Sequence, residues 1–231
     1  MTTRWETIEV GGSPMRVYLG VPERSGTRPG VVIAQHAGGV DIPIQDAVNR
    51  LHAEGYLAAA PELFHRQPKD VKDNISRVGL LKAGEVIADM NATLGLIKKQ
   101  GNVGSLGVMG FCMGGRVSYL MACANSELRA AAVFYGGSIL KPWGDDPAPL
   151  ERSKDIGCPV IGFSGTEDKN PSPEDMRKIS AELTRLGKWH EFHLYNDADH
   201  AFCNFSAERY RPRVARAAWG ELLAFFDLYL R

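Results

Sequence analysis

The chain has 231 residues, a hydrophobic content of 44%, and a formal net charge of zero from 27 basic and 27 acidic side chains. A chain of that length builds a sizeable core without a disulfide or metal staple, and the charge balance gives no support to a general nucleic-acid binder. The 25 glycines and 13 prolines follow no repeat period, which excludes collagen-like and low-complexity chains.

Ile8–Val10 and Met15–Leu19, split by Gly11-Gly12, predict an antiparallel opening hairpin. A polar turn around Glu23-Arg24-Ser25-Gly26 precedes an all-apolar run, Gly30–Ala34, of the kind found in buried parallel strands. That strand ends in the small-residue loop Gln35-His36-Ala37-Gly38-Gly39. Ile44, Ala47, Val48 and Leu51 then fall on one helical face, which Gly55 terminates, and Leu57–Ala60 is the next buried strand. Residues 66–80 look polar and irregular, whereas Ile87, Met90, Leu94 and Ile97 mark a long helix.

The alternation continues with a strand at Ser105–Met109, a helix over residues 114–124, and strands at Ala130–Phe134 and Pro159–Phe163. Between those last two lies an excursion, residues 137–155, expected as loop or short helical turns. Ser172 as N-cap, Pro173, Asp175 three residues after the cap, and Gly187 punctuate another helix. His190–Tyr195 is a late strand and Val214–Tyr229 a largely apolar terminal helix. Strands alternating with helices in this way predict an α/β fold, a mainly parallel sheet flanked by helices, as one domain over residues 1–231. No G-x-G-x-x-G opens the first crossover and no P-loop motif occurs, so dinucleotide and P-loop readings are weak.

Cys112, Cys123, Cys158 and Cys203 show no C-x-x-C spacing, and no H-E-x-x-H or other regular ligand spacing exists. Neither a metal nor a cofactor is expected. The polar start, Met1-Thr2-Thr3-Arg4-Trp5-Glu6, lacks an apolar signal, and no apolar run approaches a membrane span. The expectation is a cytoplasmic protein with reduced thiols, monomeric or a small homo-oligomer, with no membrane or nucleic-acid partner.

The sharpest local signal is Gly107-Val108-Met109-Gly110-Phe111-Cys112-Met113-Gly114-Gly115-Arg116. A strand enters, a helix leaves, and a cysteine sits between glycines at G-x-C-x-G spacing, the nucleophile-elbow pattern with sulfur in place of oxygen. The helix N-terminus favours thiolate, and the Met113 N–H is placed to face an oxyanion. Outside that context a cysteine after a strand is more often a small core residue. An elbow requires a carboxylate and then a histidine further along, each beyond a strand end. Asp168 and His200 meet that order, with Glu167 as rival acid and Asp197 and Asp199 as alternative local hydrogen-bond partners.

With these segments, and with Leu51–Pro61, Phe134-Tyr135-Gly136, Gly165–Asp168 and Ala198–Phe202, the chain resembles the dienelactone hydrolase family nearly throughout. The resemblance implies an α/β-hydrolase fold with a minimal cap, Cys112 as nucleophile, His200 as base and Asp168 as orienting acid. It implies acyl transfer at a small lactone or ester, with an oxyanion held by the Met113 and Ala37 N–H groups. Thiol chemistry favours activated substrates such as enol lactones, because alkoxide leaves less readily than thiolate. An esterase or thioesterase for another small substrate, and a non-catalytic small-molecule-binding or redox-responsive protein on the same scaffold, are the alternatives.

Two positions depart from the family pattern. His36 stands where characterised members have a glutamate against the resting thiol, and Asn204 stands where they have a carboxylate-binding arginine. Arg77 and Arg209 are the candidate replacements for that arginine, and Phe111, Tyr135 and Phe202 complete the expected substrate-binding set. A regulatory disulfide between Cys203 and Cys112 is a further possibility raised by the sequence.

Overall fold

The computed structural model describes residues 2–22 and 26–231. The turn expected at Glu23-Arg24-Ser25 lies outside the described residues. The chain opens with β1 (Thr2–Val10) and β2 (Ser13–Val21), joined through Gly11 and Gly12 with φ of +58° and +76°. Two successive positive φ values are what a tight two-residue hairpin turn needs, and glycine supplies them without a Cβ clash. β1 runs six residues further back than its apolar end suggests, because it lies at the sheet edge and needs only one covered face.

After β3 (Arg28–Ala34), α1 (Ile42–Ala53) and β4 (Leu57–Pro61) come α2 (Asn74–Gly79), α3 (Ala83–Lys99), β5 (Val103–Phe111), α4 (Met113–Ala124) and β6 (Leu128–Phe134). A 3-10 segment at Pro149–Asp155 sits within the expected excursion. β7 (Val160–Gly165), α5 (Pro173–Arg185), β8 (His190–Tyr195) and α6 (Pro212–Leu230) complete the chain. α5 carries the capping box read from the sequence, with Asp175 N–H on Ser172 Oγ and Ser172 N–H on Asp175 Oδ2. α2 was expected as irregular chain. It has no buried side chain, so no apolar period announced it, and the Asp73 carboxylate caps it by accepting from the Ser76 N–H at 2.7 Å.

The eight strands form one sheet in the order β1-β2-β4-β3-β5-β6-β7-β8. β1, β2 and β4 pair antiparallel in succession, and every pair from β4–β3 to β7–β8 is parallel. Strand alternation feeds two cores. Val32, Ala34, Val108 and Val133 point to the side covered by α3, α4 and α5. Val31, Ile33, Met109 and Phe134 point to the side covered by α1 and α6. With both faces covered, the central strands are apolar at nearly every position, the reason they are readable from sequence as unbroken hydrophobic runs. This is a single-domain α/β-hydrolase fold, and its parallel strands deliver their carboxyl-end loops to one rim. No helix among the described residues is long and apolar enough to cross a membrane.

Candidate active site

The rim is organised around the turn from β5 into α4. Cys112 occupies it with φ +56° and ψ −118°, a conformation that L-residues adopt only under constraint. The flanking glycines supply that constraint. A Cβ on Gly110 would lie 2.2 Å from the Gly114 carbonyl oxygen, and one on Gly114 would lie 2.1 Å from the Ala34 carbonyl oxygen. Strand β5, the start of α4 and the end of β3 therefore pass at backbone contact. The Cys112 N–H donates to the Phe134 carbonyl at 3.0 Å, tying the turn to β6 as well.

Two neighbouring strand ends bring in the acid and the histidine. The Thr166 N–H donates to the Tyr195 carbonyl and the Glu167 N–H to the Ala198 carbonyl, both at 2.9 Å, so the loops after β7 and β8 are sewn together. Asp168 is buried at 3% exposure, and its Oδ1 accepts the Asn170 N–H. Its Oδ2 lies 2.9 Å from His200 Nδ1. Glu167, the rival, accepts instead from the Thr166 hydroxyl at 3.3 Å. Asp199 accepts the His200 N–H at 2.6 Å and stands 3.2 Å from Arg209 Nε, a local partner rather than the imidazole's.

With Nδ1 committed to Asp168, the imidazole meets the Cys112 sulfur through Nε2. Burial opposes the charged form of both groups, and it is outweighed at both. The bond to His200 and its charge, together with the Met113 and Ala37 N–H groups, hold the Cys112 thiol below its ordinary value. Burial would likewise depress His200, but Asp168 and the cysteine raise it to about 10. A sulfur anion beside an imidazolium is the protonation state these shifts favour. Cys123, Cys158 and Cys203 are pushed up by burial instead.

Cys112 and His200 border two cavities. The wider, of about 660 Å³, runs past Ala37, Met113, Asn170 and Ser138 under the Ile75–Val78 side of α2. Its cations are Arg116, Lys169 and Arg209. Arg116 was not anticipated from the sequence, although it follows Cys112 by one helical turn. It is 6% exposed, lies over Trp143 at 4.4 Å and donates to the Lys141 carbonyl. Among the described residues it has no carboxylate partner, its Nε is unpaired, and burial draws its guanidinium down to about 10. The narrower cavity, of about 210 Å³, includes Phe111, Tyr135, His36 and Asn204 from the expected set, with Pro43 and Ile44 of α1.

Two expectations need correction. Arg77 lies outside both cavities: its guanidinium packs 4.2 Å from the Phe64 ring and borders a separate hollow beside His65 and Glu62. Phe202 is fully buried against Tyr135 and Tyr195, so it supports the site from beneath and does not line it. Cys112 and Cys203 are both free thiols in this structure. His36 keeps its place at the narrower cavity but turns Nε2 to Asp41 Oδ1, 2.8 Å away.

Comparison with known proteins agrees with this architecture. The dienelactone hydrolase family profile matches residues 15–230. A protein of Escherichia coli strain K12, provisionally named a carboxymethylenebutenolidase, is 32% identical over 96% of this chain and 86% of its own length. A crystal structure from Klebsiella pneumoniae, provisionally named a dienelactone hydrolase, is 30% identical with a TM-score of 0.93, covering 99% of each chain. The dienelactone hydrolase-like promiscuous phosphotriesterase P91 shares the fold with a TM-score of 0.86 at 21% identity, over 100% of this chain and 99% of its own. The chain belongs to the dienelactone hydrolase family of the α/β-hydrolase superfamily, a family of hydrolases acting on small esters and lactones.

Proposed function

We propose that the protein hydrolyses small activated esters and lactones through an acyl-cysteine intermediate on Cys112. The observation that carries this reading is one contact chain: Asp168 on His200 Nδ1, the other imidazole nitrogen on the Cys112 sulfur, and two backbone N–H groups at that sulfur. Cys112 attacks the carbonyl carbon, and the Met113 and Ala37 N–H groups hold the oxyanion that forms beside them. His200 gives its Nε2 proton to the departing oxygen as the C–O bond breaks, leaving a thioester. Water then attacks the thioester carbonyl while His200 takes its proton, and the C–S bond breaks to return the thiolate. Asp168 keeps the proton on Nδ1 and steadies the imidazolium.

An enol or phenol leaving group suits this site, since it departs far more readily than an alkoxide and, once protonated by His200, competes with expulsion of the thiolate. The cations in the wider cavity give an anionic substituent a place to lie; Arg209 is held by Asp199, and Arg116 is buried without a carboxylate of its own. Dienelactone-like substrates are therefore within the proposed class, alongside neutral activated esters.

The test is turnover of a dienelactone, a simple enol lactone and p-nitrophenyl acetate, with Cys112→Ala beside the native protein. Loss of the nucleophile is expected to lower turnover by about 10³-fold or more while thermal unfolding stays close to native. Undiminished hydrolysis in the alanine variant would remove Cys112 from the mechanism.

A further inference from the structure

The two cavities that meet at Cys112 differ in chemistry, and the difference assigns the two halves of an ester. The wider one carries acids and bases: Arg116, Lys169, Arg209, Asp168 and Asp199. The narrower one has no lysine, arginine, aspartate or glutamate in its wall. Most of its wall is apolar: the Phe111 and Tyr135 rings, 6.1 Å apart and tilted by 41°, with Pro43, Ile44, Ala201 and the neutral thiol of Cys203, while His36 and Asn204 add an imidazole and an uncharged amide beside the catalytic pair. The Tyr135 hydroxyl is occupied by a hydrogen bond to Cys203. Cys112, Tyr135 and Ala201 all border this small space, and all hold a positive φ, at +56°, +37° and +62°. Constrained backbone gathered around one cavity is the pattern of a shaped binding surface.

We propose that the narrower cavity is the acyl pocket, and that it selects compact apolar acyl groups, a single aromatic ring or a branched alkyl group of similar size. This deepens the hydrolase reading above and rests on it. Assignment of the halves follows from the order of bond making. Once Cys112 Sγ bonds the carbonyl carbon and the C–O bond breaks, the acyl part stays tethered and the alcohol, carrying the His200 proton, must leave. Water must then reach the thioester beside His200 before the C–S bond breaks and the carboxylic acid is released. Departure and water entry both suit the wide cavity, so the tethered group belongs in the narrow one. Size follows from volume. An apolar cavity of about 150 Å³ is known to hold benzene, so about 210 Å³ takes one six-membered ring with little to spare.

The experiment keeps the leaving group fixed and varies the acyl group: p-nitrophenyl acetate, 2-methylpropanoate, benzoate and 2-naphthoate. Each kcat/KM is divided by the same ester's rate with hydroxide, which removes intrinsic reactivity. The ratio is expected to rise about tenfold or more from acetate to benzoate and to fall by a similar factor at naphthoate. In Ile44→Ala the naphthoate-to-benzoate ratio is expected to rise, as the missing side chain lengthens the pocket. If that variant does not fold, the native series still decides.

Cysteine-dependent turnover with a flat acyl profile overturns the pocket while leaving the hydrolase reading standing. Naphthoate processed as well as benzoate overturns it equally. Absence of cysteine-dependent turnover on every ester overturns the reading beneath it and the pocket together.

Discussion

At the scale of single residues, the Cys112–His200 pair sets the pH dependence expected of the reaction. Attack needs the thiolate, so kcat/KM should rise with pH as the thiol ionises, below the ordinary cysteine range. Departure of the leaving group needs the imidazolium, so the rate should fall as His200 loses its proton near pH 10. Both apparent values belong to the coupled pair and not to either residue alone. Asp168→Asn removes the carboxylate that helps to raise His200. It is expected to move the alkaline limb to lower pH and to cut kcat/KM by about 10²–10⁴-fold, with little change in KM. An alkaline limb that stays in place would separate Asp168 from the histidine's ionisation. Cys112 and Asp168 were legible in the sequence because each follows an apolar strand close to glycines, and His200 because it completes the order of nucleophile, acid and histidine beyond the end of a late strand. Arg116 was not, since nothing in a sequence reveals that a helix-borne arginine is buried without a carboxylate. Arg77 was misplaced for the converse reason: no period in residues 66–80 shows which way α2 faces.

Among the elements, the β5–α4 turn is where sequence and backbone geometry are most tightly bound. Gly114→Ala puts a methyl group against the Ala34 carbonyl, and backbone on one side or the other must shift. The Met113 and Ala37 N–H groups lie on those two segments, so the proposed oxyanion donors move apart as the fold weakens. A destabilisation above about 3 kcal/mol is expected by urea unfolding. Gly95→Ala, inside α3 with nothing within 4 Å of the new methyl, is expected to stabilise by about 0.5–1 kcal/mol. Equal effects at the two positions would contradict this account of the turn. The same contrast explains what was readable. Strands β3 to β7 are near-continuous apolar runs and helices α1, α3, α5 and α6 bury a periodic apolar face, so both announce themselves. α2 and the outer part of β1 bury little, and their place is set by tertiary contact.

For the molecule as a whole, one sheet with two separate cores holds three loops from β5, β7 and β8 at a common rim, and the ion pair formed there feeds back on stability. Relative to the unfolded chain, His200 is raised from 6.5 to about 10 and Cys112 is lowered from 9.0. The His200 contribution is fully present below pH 6.5 and is lost as pH rises through about 10. The Cys112 contribution is present above pH 9 and is lost as pH falls through its depressed folded value. Where the pH lies above both 6.5 and the depressed Cys112 value and below 9, the folded pair and the unfolded pair each carry one proton, so stability from this source is level. As long as Cys112 stays ionised in the fold below pH 6.5, the unfolded chain binds the extra proton there and stability rises with pH; above pH 9 the folded chain holds it, and stability falls. Each limb approaches a slope of about 1.4 kcal/mol per pH unit where one proton separates the states. Cys112→Ala removes the thiol and its support for His200, so the acid limb should vanish and the alkaline loss should begin at lower pH. Subtracting urea-unfolding free energies of the variant from the native protein across the pH range cancels the other titrating groups. A plateau flanked by two falling limbs in that difference is the expected result, and a difference independent of pH would mean that folding leaves the Cys112 ionisation where it is in the unfolded chain.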